Sequence, residues 1–250
     1  MPAAQSPAQD SIHLADADDW DQHWEAFAEA AARNPAQAYR RRLAAKLLEA
    51  VGPPIRLVDL GSGQGDFLGM AARRWPDAEL LGVEPSRLGI AQSREKAPTA
   101  RLELIDLLAD TEIPDDLRGW ATHALCSEVL EHVDDPCSLL ASSRALLAPG
   151  CRLVVTVPGG PMSAFDRHIG HRRHFTPTAL GRILEQAGYQ VELALSCPGR
   201  RLRASGRALT RTSRCSPECS GSRARMSAGS SWRSSGCRPR PERSTTRSCA

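Results

Sequence analysis

The stretch Asp59-Leu60-Gly61-Ser62-Gly63-Gln64-Gly65 joins an apolar run, IRLVDL (55–60), to a segment with helical periodicity. Glycines at Gly61, Gly63 and Gly65 allow a sharp turn and a close approach of backbone to a ligand. The loop is not the dinucleotide fingerprint, because Asp66 stands where its third glycine would be. A carboxylate at a helix start would repel a pyrophosphate seated there. Asp59, at the tip of the run, instead suits a ligand carrying positive charge. Glu84 ends a second apolar run about 20 residues past the loop, where an acid can accept from both hydroxyls of a ribose. Asp106, in Ile105-Asp106-Leu107, ends a third, placed to meet the amino group of a base while its neighbours pack the ring. These acids at successive strand ends suit a nucleoside-bearing cation.

A second set of reactive side chains follows the fourth and fifth apolar runs. The first part is Glu128, Glu131, His132, Asp134 and Asp135. The second is Pro158-Gly159-Gly160-Pro161, then Asp166-Arg167-His168-Ile169-Gly170-His171-Arg172-Arg173-His174-Phe175. In open α/β sheets ligands bind outside the carboxyl ends of the strands, so these loops would meet a second substrate. His132 and His171 are candidate general bases. Arg167, Arg172 and His174 are candidate binders of an acceptor carrying carboxylate or phosphate. The plainer alternative makes His132 the cap of a turn, and the other histidines part of a basic loop. The H-x-x-H-x-x-H spacing also invites a metal, but Gly170 argues for a loop, and the arginines would repel a cation. No metal is assigned.

The elements that must position these groups show in the hydropathy pattern. The runs 55–60, 78–84, 101–106, 123–128 and 152–157 read as strands. Helical stretches such as Phe67–Trp75, Arg87–Glu95 and Cys137–Leu147 lie between them, and a helix at Thr178–Ala187 leads to a strand at Gln190–Leu195. Alternating β and α implies right-handed crossovers, hence a doubly wound, mostly parallel α/β sheet with helices on both faces. Two amphipathic helices precede it. Asp18 or Asp19 can cap the first, which sets Trp20, Trp24 and Phe27 on one face. Asn34 and Pro35 separate it from the second, with Tyr39, Leu43, Leu47 and Val51 expected on one side.

Taken together, VDLGSGQGDFL, GVEPS, LIDLL and CSEVLEHVDDP resemble, in order and spacing, the class I methyltransferases that use S-adenosylmethionine. The resemblance covers roughly Trp20 to Ser196 and is closest to the ubiquinone-type O-methyltransferase branch. It implies that Asp59, Gly61, Gly63 and Gly65 hold the methionine end of the cofactor. Glu84 would take the ribose, Asp106 and Leu107 the adenine, and Ser127 and Glu128 would line the pocket. Some ubiquinone-type relatives hold a divalent ion near the position of Glu131-His132. The family has seven strands, the last antiparallel between the fifth and sixth, and here that final strand is expected to be missing. Ser127-Glu128-Val129-Leu130 is unlike the Asn/Asp-Pro-Pro-aromatic motif of enzymes that methylate nucleobase amino groups. Glu128 and Glu131 do not reproduce the glutamate pair of protein arginine methyltransferases. The implied reaction is methylation of a small-molecule acceptor at oxygen. RNA modification, RNA binding and non-catalytic cofactor binding are the alternatives.

Composition divides the chain. Residues 199–250 hold 13 Arg and 2 Glu, a net +11, whereas residues 1–198 hold 19 basic and 27 acidic residues, a net −8. The expected organisation is a disordered 1–17, helices forming a lid or cap in 18–53, the α/β domain in 54–198 and a disordered tail in 199–250. The tail's large apolar residues are Leu202, Leu209, Met226 and Trp232. Burying all four would yield roughly 6–12 kcal/mol, against an ordering cost of about 1–2 kcal/mol for each residue of the tail. Its Arg, Ser, Gly, Pro and Cys mixture is what GC-rich coding DNA gives out of frame, so a frameshift near Cys197 is expected. A genuine tail would instead bind nucleic acid through phosphates. Cys126, Cys137, Cys151 and Cys197 read as small buried hydrophobes, and no cysteine pattern suggests zinc or disulfides. No apolar run approaches the roughly 18–20 residues of a membrane span, and a cytoplasmic enzyme is expected.

Overall fold

In the computed structural model, the described residues are 19–50, 52–109, 111–196 and 213–215. All fall within one compact unit, Met1–Cys219, and the second unit, Ser220–Ala250, lies outside them. The expectations for 1–17, for Cys197 and for most of the tail likewise lie outside the described residues.

Helix α1 (Trp20–Arg33) starts at Asp19, whose side chain accepts from the Gln22 N–H at 3.0 Å. Asn34 ends α1 and caps α2 (Pro35–Leu48), and Pro35 occupies the first turn. Both breaks follow from the sequence. The buried face of α2 differs from the expected one: Ala44, Ala45 and Leu48 are buried, while Tyr39 is 43% exposed. Val51 lies outside the described residues.

The strands are β1 (Arg56–Leu60), β2 (Glu79–Glu84), β3 (Arg101–Leu104), β4 (Ala121–Ser127), β5 (Leu147–Thr156), β6 (Tyr189–Gln190) and β7 (Ser213–Cys215). They form one sheet in the order β3-β2-β1-β4-β5-β7-β6, parallel from β3 through β5. Helices α3 (Asp66–Arg74), α4 (Arg87–Lys96), α5 (Pro136–Ser143), α6 (Ala164–His168) and α7 (Pro177–Gln186) complete the alternation. The doubly wound, mostly parallel sheet is as expected. Period-2 alternation explains the two cores. Leu57, Leu80, Leu125 and Val154 pack toward α2 and α3, whereas Val58, Leu81, Ala124 and Leu153 pack with Leu139, Leu140 and Leu184 on the other face.

The seventh strand requires a correction. Ser213–Cys215 occupies the slot expected to lack a strand, antiparallel to both β5 and β6, with Leu153 opposite Ser213 and Tyr189 opposite Cys215. Backbone groups at an open sheet edge are satisfied by any extended segment, so side-chain composition does not report such pairing. The preceding strand is also shorter than expected, two residues at Tyr189–Gln190 rather than six. The expected 137–147 helix ends at Ser143, followed by a 3₁₀ turn at Arg144–Leu146.

Candidate functional site

The sheet order reverses between β1 and β4, and the loops after both strands open at the carboxyl edge. In the first loop Gly61, Gly63 and Gly65 all have positive φ, at 73°, 54° and 78°. All three positions are also closed to a side chain, a Cβ on Gly61 meeting Val129 Cγ2 at 2.6 Å. A Cβ on Gly65 would lie 2.7 Å from the Ser93 Cα, and one on Gly63 would run into the Trp24 ring. The loop is therefore seated on α4 below and under α1 above.

Glu84 accepts from the Gly63 N–H at 2.8 Å, the Ser86 N–H at 3.2 Å and the Trp24 indole N–H at 3.5 Å. Burial pushes its carboxyl up, and these N–H groups oppose that. Asp59 is 3% exposed, and burial, then the nearby Glu84, push it well above the ordinary range. A buried acid in this state ionises readily only beside a cation.

An apolar cleft runs from this loop to the ends of β3 and β4. Of the predicted residues Gly61, Glu84, Asp106, Leu107 and Glu128 line it, together with Trp20 and Trp24 of α1. Asp59, Gly63, Gly65 and Ser127 are not among the lining residues, and Ser127 bonds the Thr156 hydroxyl at 2.7 Å. Asp106 is exposed and accepts from the Leu108 N–H, while Leu107 is buried. Glu128 sits at φ 58°, a conformation that costs a non-glycine residue about 1–2 kcal/mol. Its carboxylate pairs with Arg40 at 3.3 Å.

The histidines form a chain of rings beside the cleft. His132 meets His171 edge-on with centroids 4.8 Å apart, and meets Trp20 at 5.3 Å. Burial, then the neighbouring His171 and His23, push His132 down to about 3. His171 is also lowered, chiefly by burial, with Asp166 opposing. His171 Nδ1 is 3.1 Å from His174 Nε2, whereas His168 packs away against Phe27. The H-x-x-H-x-x-H spacing is thus not one cluster: His132 replaces His168 in it. Beneath lies Glu131, fully buried, with neither carboxylate oxygen hydrogen-bonded, its acid form favoured by burial and then by Glu128. Ligand atoms of Glu131, His132 and His171 lie within 4.8 Å of one another, as do those of Asp166, His171 and His174. The spacing invited a metal through His168, His171 and His174; the structure leaves His168 out and brings Asp166, Glu131 and His132 to the other two.

The arginines are already engaged. Arg172 pairs with Asp134, Arg173 donates to the Asp134 carbonyl at 2.9 Å, and Arg167 donates to the Met162 and Ser163 carbonyls. Sequence reasoning missed Trp20, His23 and Trp24 as parts of the site, and Arg40 as the partner of Glu128. A lid or cap in 18–53 and the aromatic face of α1 were legible, but not which of its side chains would reach the site. Arg40 lay hidden in the run Arg40-Arg41-Arg42, which reads as a solvated face; Arg41 in turn pairs with Asp66 at 3.5 Å.

Residues 32–194 match the family model described as a methyltransferase domain. A trans-aconitate 2-methyltransferase of Variovorax paradoxus (strain S110) is 37% identical over 121 residues, which are 48% of this chain and 45% of that one. A protein of the same name from Methylobacterium radiotolerans is 32% identical over 170 residues, 62% of this chain and 63% of the other. The chain thus spans about half to two thirds of the length of these relatives. The solved N-methyltransferase NodS from Bradyrhizobium japonicum WM9, in complex with S-adenosyl-l-homocysteine, shares the fold at TM-score 0.57 and 17% identity. That likeness covers 79% of this chain and all of NodS.

Proposed function

The chain belongs to the methyltransferase-domain family, and from that premise we propose that it moves a methyl group from S-adenosylmethionine to an oxygen of a small carboxylate-bearing acceptor. The observation that carries the reading is the cleft itself, where Gly61, Glu84, Asp106, Leu107 and Glu128 converge on one opening. The glycine loop is a cradle that side chains would fill, and Asp59 is a buried acid suited to a cationic group. Both fit the cofactor. Glu84 would hold the ribose, taking over bonds that Trp24 now makes, and Asp106 and Leu107 would flank the adenine. S-adenosylmethionine supplies, when bound, a methyl group made electrophilic by its sulfonium.

Displacement at carbon chiefly demands alignment, for which held geometry is worth roughly 7–11 kcal/mol. A base is needed only for an acceptor that arrives protonated. A carboxylate arrives ionised. His132, pushed down to about 3, is poorly matched to taking a proton near neutrality, which favours an acceptor needing none. In this reading His132 and His171 shape the acceptor side rather than act as bases. Arg172 and Arg167 bind the anion, with Arg172 giving up its pair to the 81%-exposed Asp134 side chain. The relatives named for trans-aconitate, itself a carboxylate, agree with that acceptor class.

The test incubates the full chain with methyl-labelled cofactor and a panel of di- and tricarboxylates, phenols, amines and total RNA. Label in a carboxylate, lost on mild alkaline hydrolysis, is expected. Label in RNA or amines alone refutes the acceptor assignment, and label in nothing supports the non-catalytic alternative.

A further inference from the structure

We propose that Asp166, His171 and His174 form a binding site for a divalent cation of the zinc class. His171 Nδ1 and His174 Nε2 are 3.1 Å apart. Asp166 Oδ1 lies 4.0 Å from the first and Asp166 Oδ2 lies 3.8 Å from the second. An ion about 2.0–2.1 Å from each tetrahedral ligand separates its ligands by roughly 3.3 Å. The two nitrogens already stand near that spacing, and the carboxylate oxygens stand a little beyond it.

The surroundings hold these groups in a form able to ligate. His174 Nδ1 is 3.1 Å from the Gly160 carbonyl oxygen, which can only accept, so Nδ1 carries the ring proton. That leaves the Nε2 lone pair directed at the cluster, the arrangement by which outer hydrogen bonds set a ligand histidine. Without an ion His171 Nδ1–H fills the gap by donating to it; when an ion takes Nδ1, the ring proton moves by exchange with water to Nε2 and the imidazole stays neutral. Asp166 is fixed by a reciprocal capping box with Ser163, the Ser163 N–H donating to Asp166 Oδ2 at 2.6 Å. The His171 N–H donates to the Asp166 carbonyl at 2.9 Å and the Phe175 N–H to the Pro158 carbonyl at 3.0 Å, pinning the loop at both ends. The side chains of His171 and His174 are only 9% and 8% exposed.

Of the neighbouring arginines, Arg172 pairs with the Asp134 carboxylate, while Arg167 and Arg173 donate to backbone carbonyls and keep a charge that the three ligands must outweigh. Arg40 also bears on His171, and Glu128 pairs with it. Two imidazoles and one carboxylate select a borderline transition metal over magnesium or calcium. Three protein ligands also leave a coordination position open. The site does not depend on the methyl-transfer reading, since its test reads ion affinity alone.

The experiment titrates Co²⁺ and Zn²⁺ into the full chain after its thiols have been alkylated, with Mg²⁺ as the comparison. Visible Co²⁺ bands without thiolate charge transfer are expected, at one ion per chain, with Mg²⁺ failing to compete. His174→Gln and Asp166→Asn should each weaken binding by more than the roughly 10–100-fold that loss of an outer partner costs. Circular dichroism verifies that each variant is folded, and Asp166→Asn, nearly isosteric, is the decisive variant if His174→Gln is not. No binding below millimolar Co²⁺ overturns the proposal. So does unchanged affinity in the Asp166 variant with loss in Glu131→Gln or His132→Gln, which would move the ion to the neighbouring cluster.

Discussion

Gly65→Ala should destabilise the protein far more than an alanine at a glycine whose strain is purely conformational. Gly65 has φ 78°, and a left-handed conformation costs an L-residue about 1–2 kcal/mol. The added Cβ would also stand 2.7 Å from the Cα of Ser93, a backbone atom that cannot rotate away. Overpacking of this kind costs about 1–3 kcal/mol, so the two effects together predict about 2–5 kcal/mol. Gly119 isolates the first effect, because at φ 64° it has nothing within 4 Å of the place an added methyl would take. Gly119→Ala should therefore cost about 1–2 kcal/mol. Urea denaturation of both variants and the parent, read by tryptophan fluorescence, gives the comparison. If Gly65→Ala costs no more than Gly119→Ala, the glycine loop is not seated on α4, and the cofactor cradle built on it is wrong.

Other predictions concern the buried acids. Glu84→Gln should weaken S-adenosylhomocysteine binding roughly 10–100-fold, the worth of a charge-assisted bond or two, whereas Glu79→Gln at the exposed start of β2 should leave it unchanged. Cofactor binding should release a proton from Asp59: its pKa is raised in the free protein, a bound ammonium lowers it, and so affinity falls as pH falls. Calorimetry in two buffers of different ionisation enthalpy counts that proton, and finding none between about pH 5 and 8 contradicts the assignment. Glu131→Met should stabilise the metal-free protein by about 1–3 kcal/mol at about pH 8, by removing a buried carboxyl whose oxygens lack partners. Because its folded pKa is raised, Glu131 costs stability as pH rises above the unfolded value, and the gain should shrink on acidification.

The parallel sheet and its strand-end acids were legible because a central parallel strand is apolar throughout, so a carboxylate at its tip stands out. Asp59 and Glu84 appear where that logic puts them. Asp106 follows it only in part, since β3 stops at Leu104 and leaves the acid in an exposed loop. What the sequence did not reveal depends on contacts between distant segments. Trp24 reaches Glu84 across 60 residues, and Arg40 reaches Glu128 from a helix whose polar face reads as solvated. The histidine cluster was obscured for the same reason: α6, outside the expected helices, places Asp166 and turns His168 aside, while His132 arrives from the loop after β4. The pairing of β7 was hidden because it uses backbone groups, to which the Arg- and Ser-rich composition is indifferent.

Direct titration of the full chain with S-adenosylhomocysteine, and separately with NADH, tests the central claim most directly. Saturable one-to-one binding of S-adenosylhomocysteine at micromolar concentration is predicted, lost in Glu84→Ala, with no heat from NADH. A folded protein with no affinity for S-adenosylhomocysteine at millimolar concentration, or one that binds NADH instead, would contradict the assignment of this cleft.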